Sequence, residues 1–135
     1  MIPTYKILID SDLIIALIKK DDNNHLKAIK IFKKYANAEI FVSPFCISEV
    51  ATVLSLRVSQ QAAITFIKNF RERNITELAF DRLTAAKADA IFCEQSIKGT
   101  SWIDCCNVAY YRLQGFDAIA SFDKFYNKVK VKVLI

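Results

Sequence analysis

Residues 5–18, YKILIDSDLIIALI, contain a strand pattern and a helix pattern separated by a short polar junction. Residues 5–9 form an apolar run rich in β-branched side chains, which is typical of a buried strand. Asp10, Ser11 and Asp12 follow at once, and residues 13–18 have the apolar character of a short packed helix. The segment therefore predicts a strand that ends on carboxylates and leads directly into a helix.

The rest of the chain repeats this alternation. Further strands are predicted at residues 39–43, 75–80, 117–121 and 129–134. Helices are predicted at residues 25–36, 44–58, 60–73, 82–98 and 101–115. Ser59 and Asp81 are predicted to cap the third and fourth of them, and Gly115 to end the fifth in the left-handed conformation. No repeat, low-complexity segment or linker interrupts the pattern. We therefore expect one domain over residues 1–135 with an α/β fold, a three-layer α/β/α sandwich around a mostly parallel five-stranded sheet.

The composition argues against several classes of site. The chain has 135 residues, of which 53% are hydrophobic and 24% charged, so it can bury one core. Two glycines give little support for a glycine-rich phosphate loop, and the single histidine, His25, excludes a site with several histidines. The four cysteines have no CxxC spacing, which favours small buried side chains in a reducing compartment.

Charge and hydropathy bear on partners and location. The net charge of +5 and the pI near 9.0 fit an anionic partner, although the same balance is common in proteins that bind no nucleic acid. The chain opens with no basic-then-apolar signal segment, and no apolar run approaches the length of a membrane span. We expect a cytoplasmic protein without a membrane partner.

Two acids follow predicted strands close to the point where each strand ends. Asp10 comes directly after the first strand, and Asp123 follows the fourth after Ser121 and Phe122. Because ligands of open parallel sheets bind outside the carboxyl ends of the strands, both carboxylates should share one edge if these strands are neighbours. Either acid taken alone is better explained as a helix cap.

Glu49 lies on the apolar side of its predicted helix. Cys46, Val53 and Leu56 are its neighbours at i−3, i+4 and i+7. Burial of an unpaired carboxylate costs several kcal/mol, so the group is expected to meet a cation, a base or a pocket. A buried ion pair with an arginine or lysine is the alternative.

Asp104 lies in the helix SWIDCCNVAYYRLQG of residues 101–115, which is apolar nearly all round and is expected to pack centrally. Ser101 and Asp104 also have the S-x-x-acid spacing of a capping box. A cap and a metal ligand are compatible, because the first turn of a helix favours negative charge in either role.

Together these acids indicate a cation. The carboxylates of Asp10, Glu49, Asp104 and Asp123 would repel one another and raise one another's pKa if they met without compensation. A hard divalent cation removes this conflict. Oxygen ligands without usable His or Cys groups favour Mg²⁺ or Mn²⁺ over Zn²⁺.

The segments ILIDSDLIIAL, SPFCISEVATVL and TSWIDCCNVAYYRLQGFDAIASFDKF carry the four acids in an order and spacing that resemble PIN domains. In size and layout the chain resembles the VapC-type toxins of toxin-antitoxin pairs, over nearly its whole length. The resemblance implies that Asp10, Glu49, Asp104 and Asp123 are the catalytic acids and hold Mg²⁺ or Mn²⁺. It also matches Ser121 to the family's small hydroxyl residue just before the last acid.

Two departures concern the surroundings of the ligands. In the family the helix after the third acid is often alanine-rich, and here it carries other side chains, Cys105, Cys106, Asn107, Tyr110 and Tyr111. This leaves the substrate shape and the subfamily open. Asp12 turns the first motif into D-S-D; it is either a supporting group or only an acid at a helix start, and the second interpretation is favoured.

The resemblance implies an endoribonuclease that hydrolyses RNA phosphodiesters through a metal-activated water. Asp10 or Asp104 would orient the water. Candidate contacts to the RNA backbone are four lysines, Lys19, Lys20, Lys124 and Lys128. The resemblance further implies a homodimer and an inhibitory antitoxin protein, and the helices at 44–58 and 60–73 offer apolar surface to such a partner or to the core.

Two other functions remain open at this point. Asp10-Ser11-Asp12 fits the D-x-D nucleophile and acid of a haloacid-dehalogenase-like phosphatase, but this leaves Glu49 and Asp104 unexplained. Alternatively, the fold carries an inert acidic pocket and serves as a non-catalytic module that binds RNA or protein. The complete set of acids argues against that second alternative.

Overall fold

The computed structural model describes residues 4–135 and contains a five-stranded sheet in the order β3-β2-β1-β4-β5. The strands are β1 (Lys6–Ile9), β2 (Glu39–Val42), β3 (Ile75–Glu77), β4 (Ala118–Ala120) and β5 (Val133–Leu134). The helices are α1 (Ser11–Ile18), α2 (His25–Lys34), α3 (Pro44–Arg57), α4 (Gln60–Glu72), α5 (Arg82–Cys93) and α6 (Trp102–Gln114). A short 3₁₀ helix, Lys124–Lys128, connects β4 towards β5.

The two faces of the sheet are both covered, as the alternation along β1 requires. Ile7 and Ile9 point to one side and pack with α1 to α4, whereas Leu8 points to the other side and packs with α5, α6 and the 3₁₀ helix. Their exposed fractions are at most 2%. A strand that is buried on both faces consists of consecutive apolar residues, as Ile7, Leu8 and Ile9 do in β1. The predicted three-layer α/β/α sandwich is confirmed.

All four strand pairings are parallel, and β1 occupies the centre. From β1 the chain moves first to one side, through β2 and β3, and later to the other side, through β4 and β5. The order of strands therefore reverses beside β1, where such sheets open a crevice at their carboxyl ends. This topology places the end of β1 next to the end of β4, and the Asp10 amide donates to the Ala120 carbonyl at 3.0 Å.

Several predicted boundaries were wrong by a few residues. Strand β3 ends at Glu77 rather than 80, although the Leu78 amide still donates to Val42 O. Strand β5 contains only Val133–Leu134, because residues 129–130 form a turn after the 3₁₀ helix, in which Lys130 has a φ of +56°. Helix α5 ends at Cys93 rather than near residue 98, and Gly99 (φ +86°) lies in the following turn.

The caps follow the sequence more closely. Ser59 accepts a hydrogen bond from Ala62 N, and Asp81 accepts one from Thr84 N. Gly115 ends α6 in the left-handed conformation, with φ of 67°. Three cysteines are buried as predicted, but Cys93 is exposed, because it lies in the last turn of α5 on its outer side. Among residues 4–135 no helix is long and apolar enough to cross a membrane.

Candidate active site

Asp10 is a buried carboxylate at the end of β1, with an exposed fraction of 5%. Its Oδ1 caps α1 by accepting from the Ser11 amide at 2.8 Å. Its Oδ2 accepts from the Ser121 hydroxyl at 3.0 Å and from the Tyr126 hydroxyl at 2.9 Å. Burial raises the pKa of Asp10, the neighbouring charge of Glu49 adds to the rise, and these hydrogen bonds oppose it. Asp10 therefore caps α1, as the sequence suggested, and its carboxylate also accepts from two hydroxyls that play no part in the cap.

Asp104 approaches the same place from the first turn of α6. The Tyr126 hydroxyl lies 3.2 Å from its Oδ1. Burial, together with the charges of Asp10 and Asp123, raises the pKa of Asp104 to about 8. Half of the predicted capping box forms, because Ser101 Oγ accepts from the Asp104 amide at 3.3 Å while the Asp104 carboxylate contacts Tyr126 instead.

Glu49 is exposed, which corrects the expectation that it lies on a buried face. The apolar face of α3 was assigned wrongly at its end, since Leu56 is 80% exposed. Glu49 nevertheless reaches the acidic edge, where its Oε2 accepts from the Ser11 hydroxyl at 2.8 Å. Ser11 adjoins Asp10, so this contact connects Glu49 to the end of β1 without burying its charge.

Asp123 follows β4 on the exposed side of the site. Its Oδ1 caps the 3₁₀ helix by accepting from the Phe125 amide at 2.9 Å, and its own amide donates to Ser121 Oγ at 3.0 Å. Asp123 and Asp104 line the same cleft, and the charge of Asp123 contributes to the raised pKa of Asp104. The structure thus brings the four predicted acids to one edge, with Asp10 and Asp104 inside and Glu49 and Asp123 outside.

Asp12 does more than begin a helix, contrary to the interpretation favoured from sequence. It accepts from the Phe122 amide at 2.9 Å and from the Ser121 hydroxyl at 3.1 Å. Burial, together with the charge of Asp10, raises the pKa of Asp12 to about 7. The side chain therefore fastens the segment after β4 to the start of α1.

Two side chains that the sequence analysis did not select, Tyr126 and Asn107, complete the site. Asn107 Nδ2 lies 3.0 Å from the Tyr126 hydroxyl and 3.4 Å from Asp10 Oδ1. Within residues 4–135, the buried Asn107 Oδ1 has no hydrogen-bond partner. Asn107 could have been selected from sequence, because it is a polar amide three residues after Asp104 in an apolar helix. Tyr126 could not, because its sequence does not distinguish it from an ordinary core residue.

The hydroxyl groups between the acids supply too few protons for them. Tyr126 has one proton for Asp10 and Asp104, and Ser121 has one for Asp10 and Asp12. Without a cation the carboxyls must therefore hold protons of their own, in agreement with their raised pKa values. A divalent cation with oxygen ligands would replace those protons, so the donor set fits Mg²⁺ or Mn²⁺. In the part of the chain described, however, no three acidic, His or Cys side chains are gathered closely enough to form a finished coordination shell.

The lysines predicted to contact RNA occupy two different places. Lys124 and Lys128 line a cleft of about 220 Å³ together with Asp104, Asp123 and Lys98. Lys19 instead pairs with Asp21 at 2.9 Å, and Lys20 follows it. Eight residues of α1 lie between Asp10 and Lys19, a helix length of about 12 Å. Lys98 was missed because its segment was predicted as helix.

Comparison with known proteins agrees with this arrangement. The family model described as the PIN domain matches residues 7–132. A fold with acids at the carboxyl edge of a parallel sheet, matched over this length, defines the class: the chain belongs to the PIN-domain family. No curated protein matches the sequence.

Several solved structures share the fold over nearly the whole chain. VapC20 of Mycobacterium tuberculosis, described as a sarcin-ricin loop cleaving toxin, is 17% identical with a TM-score of 0.83, covering 93% of this chain and 95% of that one. VapBC2 of Rickettsia felis, bound to a promoter DNA fragment, is 10% identical with a TM-score of 0.70, covering 96% and 97%. FitAcB of Neisseria gonorrhoeae is 15% identical with a TM-score of 0.70, covering 96% of both chains.

The raised pKa values predict an unusual dependence of stability on pH. Asp104 and Asp12 titrate at about 8 and about 7 when folded, against an ordinary value of 3.8. Between about pH 4 and about pH 8 the folded state holds more protons than the unfolded state, so the free energy of unfolding falls as pH rises. In EDTA, the urea midpoint should therefore be lower at about pH 8 than at about pH 5.

Asp104→Asn is the control for this measurement. It removes one of the carboxyls whose pKa is raised, so its midpoint should change less over the same interval. A wild-type midpoint that rises with pH across this interval would contradict the assignment.

Proposed function

We propose that this protein is an endoribonuclease dependent on Mg²⁺ or Mn²⁺ and acts as the toxin of a toxin-antitoxin pair. The observation that carries the proposal is the shortage of protons between Asp10, Asp104 and Asp12 at the carboxyl edge of a PIN domain. Support also comes from the fold shared with a toxin described as cleaving the sarcin-ricin loop. RNA is the substrate class that we assign.

In this proposal the inner and outer acids have different tasks. Asp10 is held by a backbone amide and two hydroxyls, so its carboxylate has one orientation and serves as the fixed ligand. Glu49 and Asp123 are exposed and complete the ligand set from the rim. The bound cation would lower the pKa of a water molecule and offset the charge on the phosphate. Asp104, at the cleft, is the other inner ligand and is also the carboxylate that we assign to orient that water.

The cleft beside Asp104 and Asp123 is the route that we propose for the RNA backbone. Lys98, Lys124 and Lys128 are exposed, and among residues 4–135 none of them forms an ion pair. Three lysines beside two carboxylates leave the cleft positive once a cation is bound, which favours a polyanion. Lys19 and Lys20 remain candidate contacts for a longer RNA, with Lys19 already partly neutralised by Asp21.

The structure gives less support to the two alternatives. Phosphatase chemistry needs an Asp12 that is free to exchange protons with a substrate, but Asp12 is occupied by Phe122 N and Ser121 Oγ. A non-catalytic binding module would not require an acidic centre with unmet charge. The substitution of Asp10 described below distinguishes catalysis from binding alone.

Protein partners are part of the same proposal. An apolar groove of about 410 Å³ between α1, α2 and α4, with Leu17, Phe32 and Phe66 in its lining, would accept an antitoxin segment. The α3–α4 face, with Leu56 and Ile64 exposed, would form the homodimer contact. A cytoplasmic location fits both partners. A small neighbouring gene product that binds this chain and suppresses cleavage would test the antitoxin.

Substitution of Asp10 tests the catalytic proposal directly. Asp10→Asn keeps the shape and removes the charge, so we expect cleavage of labelled RNA in Mg²⁺ to fall by about 100-fold or more. Growth arrest on expression should disappear with it. Glu94→Gln, at an exposed position at the end of α5, is the matched control and should leave cleavage unchanged. Equal cleavage by wild type and Asp10→Asn would show that the acidic centre does no chemistry.

The lysine cleft predicts a specific loss of RNA affinity. In the inactive Asp10→Asn background, the triple variant K98Q/K124Q/K128Q should bind single-stranded RNA more weakly. Its slope of log affinity against log salt should decrease by about 2, at about 0.7 per phosphate contact. The variant K27Q/K30Q/K33Q removes the same charge from α2 and is the control. Equal losses in both triple variants would indicate general charge attraction rather than a defined cleft.

The proposed dimer face can be tested by a charge at its centre. Leu56→Lys places an ammonium group where the α3–α4 face would meet its copy, so light scattering should show a dimer for wild type and a monomer for the variant. Leu83→Lys alters a residue that is 66% exposed on α5 and should remain dimeric. A wild-type protein that is monomeric at all concentrations would contradict this part of the proposal.

A further inference from the structure

Tyr126 has a polar environment that packing alone does not explain. Its side chain is fully buried, yet its hydroxyl lies 2.9 Å from Asp10 Oδ2 and 3.2 Å from Asp104 Oδ1. Asn107 Nδ2 lies 3.0 Å away on the same hydroxyl. A phenylalanine would fill the same apolar space beside Phe125 without these three contacts.

The direction of these hydrogen bonds can be worked out from their donors. The NH₂ group of Asn107 can only donate, so the Tyr126 oxygen accepts from it and keeps its own proton for a carboxylate. Asp10 and Asp104 compete for that single proton. The hydroxyl consequently joins the two inner acids, which come from β1 and from α6 and are far apart in the sequence.

We propose that Tyr126 is a positioning residue that holds the Asp10 and Asp104 carboxylates in the arrangement needed for a divalent cation. This inference rests on the proposed function, because it concerns the same acids. Asn107 donates to the Tyr126 hydroxyl and thereby fixes the orientation of that hydroxyl. The amide is itself buried at 1% exposure, so both groups act from the interior rather than from the side of the substrate.

The position of Tyr126 in the fold suits this role. It lies within the 3₁₀ helix that Asp123 caps, three residues after that outer acid. One short helix therefore carries an outer acid and the link between the inner acids. The Asp10 and Asp104 carboxylates are thus coupled through a side chain of the same short helix that the Asp123 carboxylate caps.

The test compares two buried tyrosines by substitution with phenylalanine. Tyr126→Phe removes the link, whereas Tyr110→Phe removes the hydroxyl of an equally buried side chain, which donates to Ala79 O at 3.0 Å. Mn²⁺ titration by calorimetry, with the electron paramagnetic resonance of bound Mn²⁺ as a second readout, measures the site without substrate. We expect the Mn²⁺ affinity of Tyr126→Phe to fall by about 10- to 100-fold and that of Tyr110→Phe to match wild type.

The outcomes separate this inference from the proposed function. If wild type and Tyr126→Phe bind Mn²⁺ equally, the positioning role is wrong while the metal site stands. If both phenylalanine variants weaken binding equally, the effect comes from loosened packing and the inference is also wrong. If wild type binds no Mn²⁺, the metal dependence itself is overturned and the inference with it.

A second variant covers the case in which Tyr126→Phe does not fold. Asn107→Ala leaves the Tyr126 hydroxyl in place and removes its support, so it should weaken Mn²⁺ binding by a smaller factor than the loss of the hydroxyl. An Asn107→Ala protein with the wild-type affinity and resonance spectrum would overturn the inference.

Discussion

A carboxylate buried at the end of the central strand is the constraint on which the rest of the site depends. Asp10 gives up most of its hydration, so it must be surrounded by donors. The Ser11 amide, the Ser121 hydroxyl and the Tyr126 hydroxyl supply them from three separate segments. Each of those segments is thereby fixed relative to β1, and the other acids of the site lie on or beside them.

The layers of the fold could be predicted from sequence because each strand and helix carries its own burial pattern. In β1 the apolar residues Ile7, Leu8 and Ile9 alternate between the two faces of the sheet, and helices cover both faces. The edge shared by Asp10 and Asp123 followed from a general rule about parallel sheets and needed only that β1 and β4 be neighbours, which they are. The caps at Ser59, Asp81 and Gly115 could be predicted because each depends only on residues close to it in the sequence.

The remaining features depend on contacts between distant residues, which periodicity does not encode. The spacing of residues along α3 placed Glu49 on the same face as Leu56, and this face was expected to be buried. Leu56 is 80% exposed, so this face is not covered at its end. Asp12 was taken for a helix-start acid because its partners, Ser121 and Phe122, lie about 110 positions further along. Tyr126 gave no signal at all, since a tyrosine among apolar residues is ordinary until its hydroxyl is seen between two acids.

The outermost strands are very short, with three residues in β3 and two in β5. An unpaired strand margin is a template on which a foreign chain can align and seed aggregates, and its hazard grows with its length. Here each margin offers too few amide and carbonyl groups for lasting recruitment, and the exposed Lys130 and Lys132 precede β5. The brevity of these strands therefore protects the sheet from growing into a fibril.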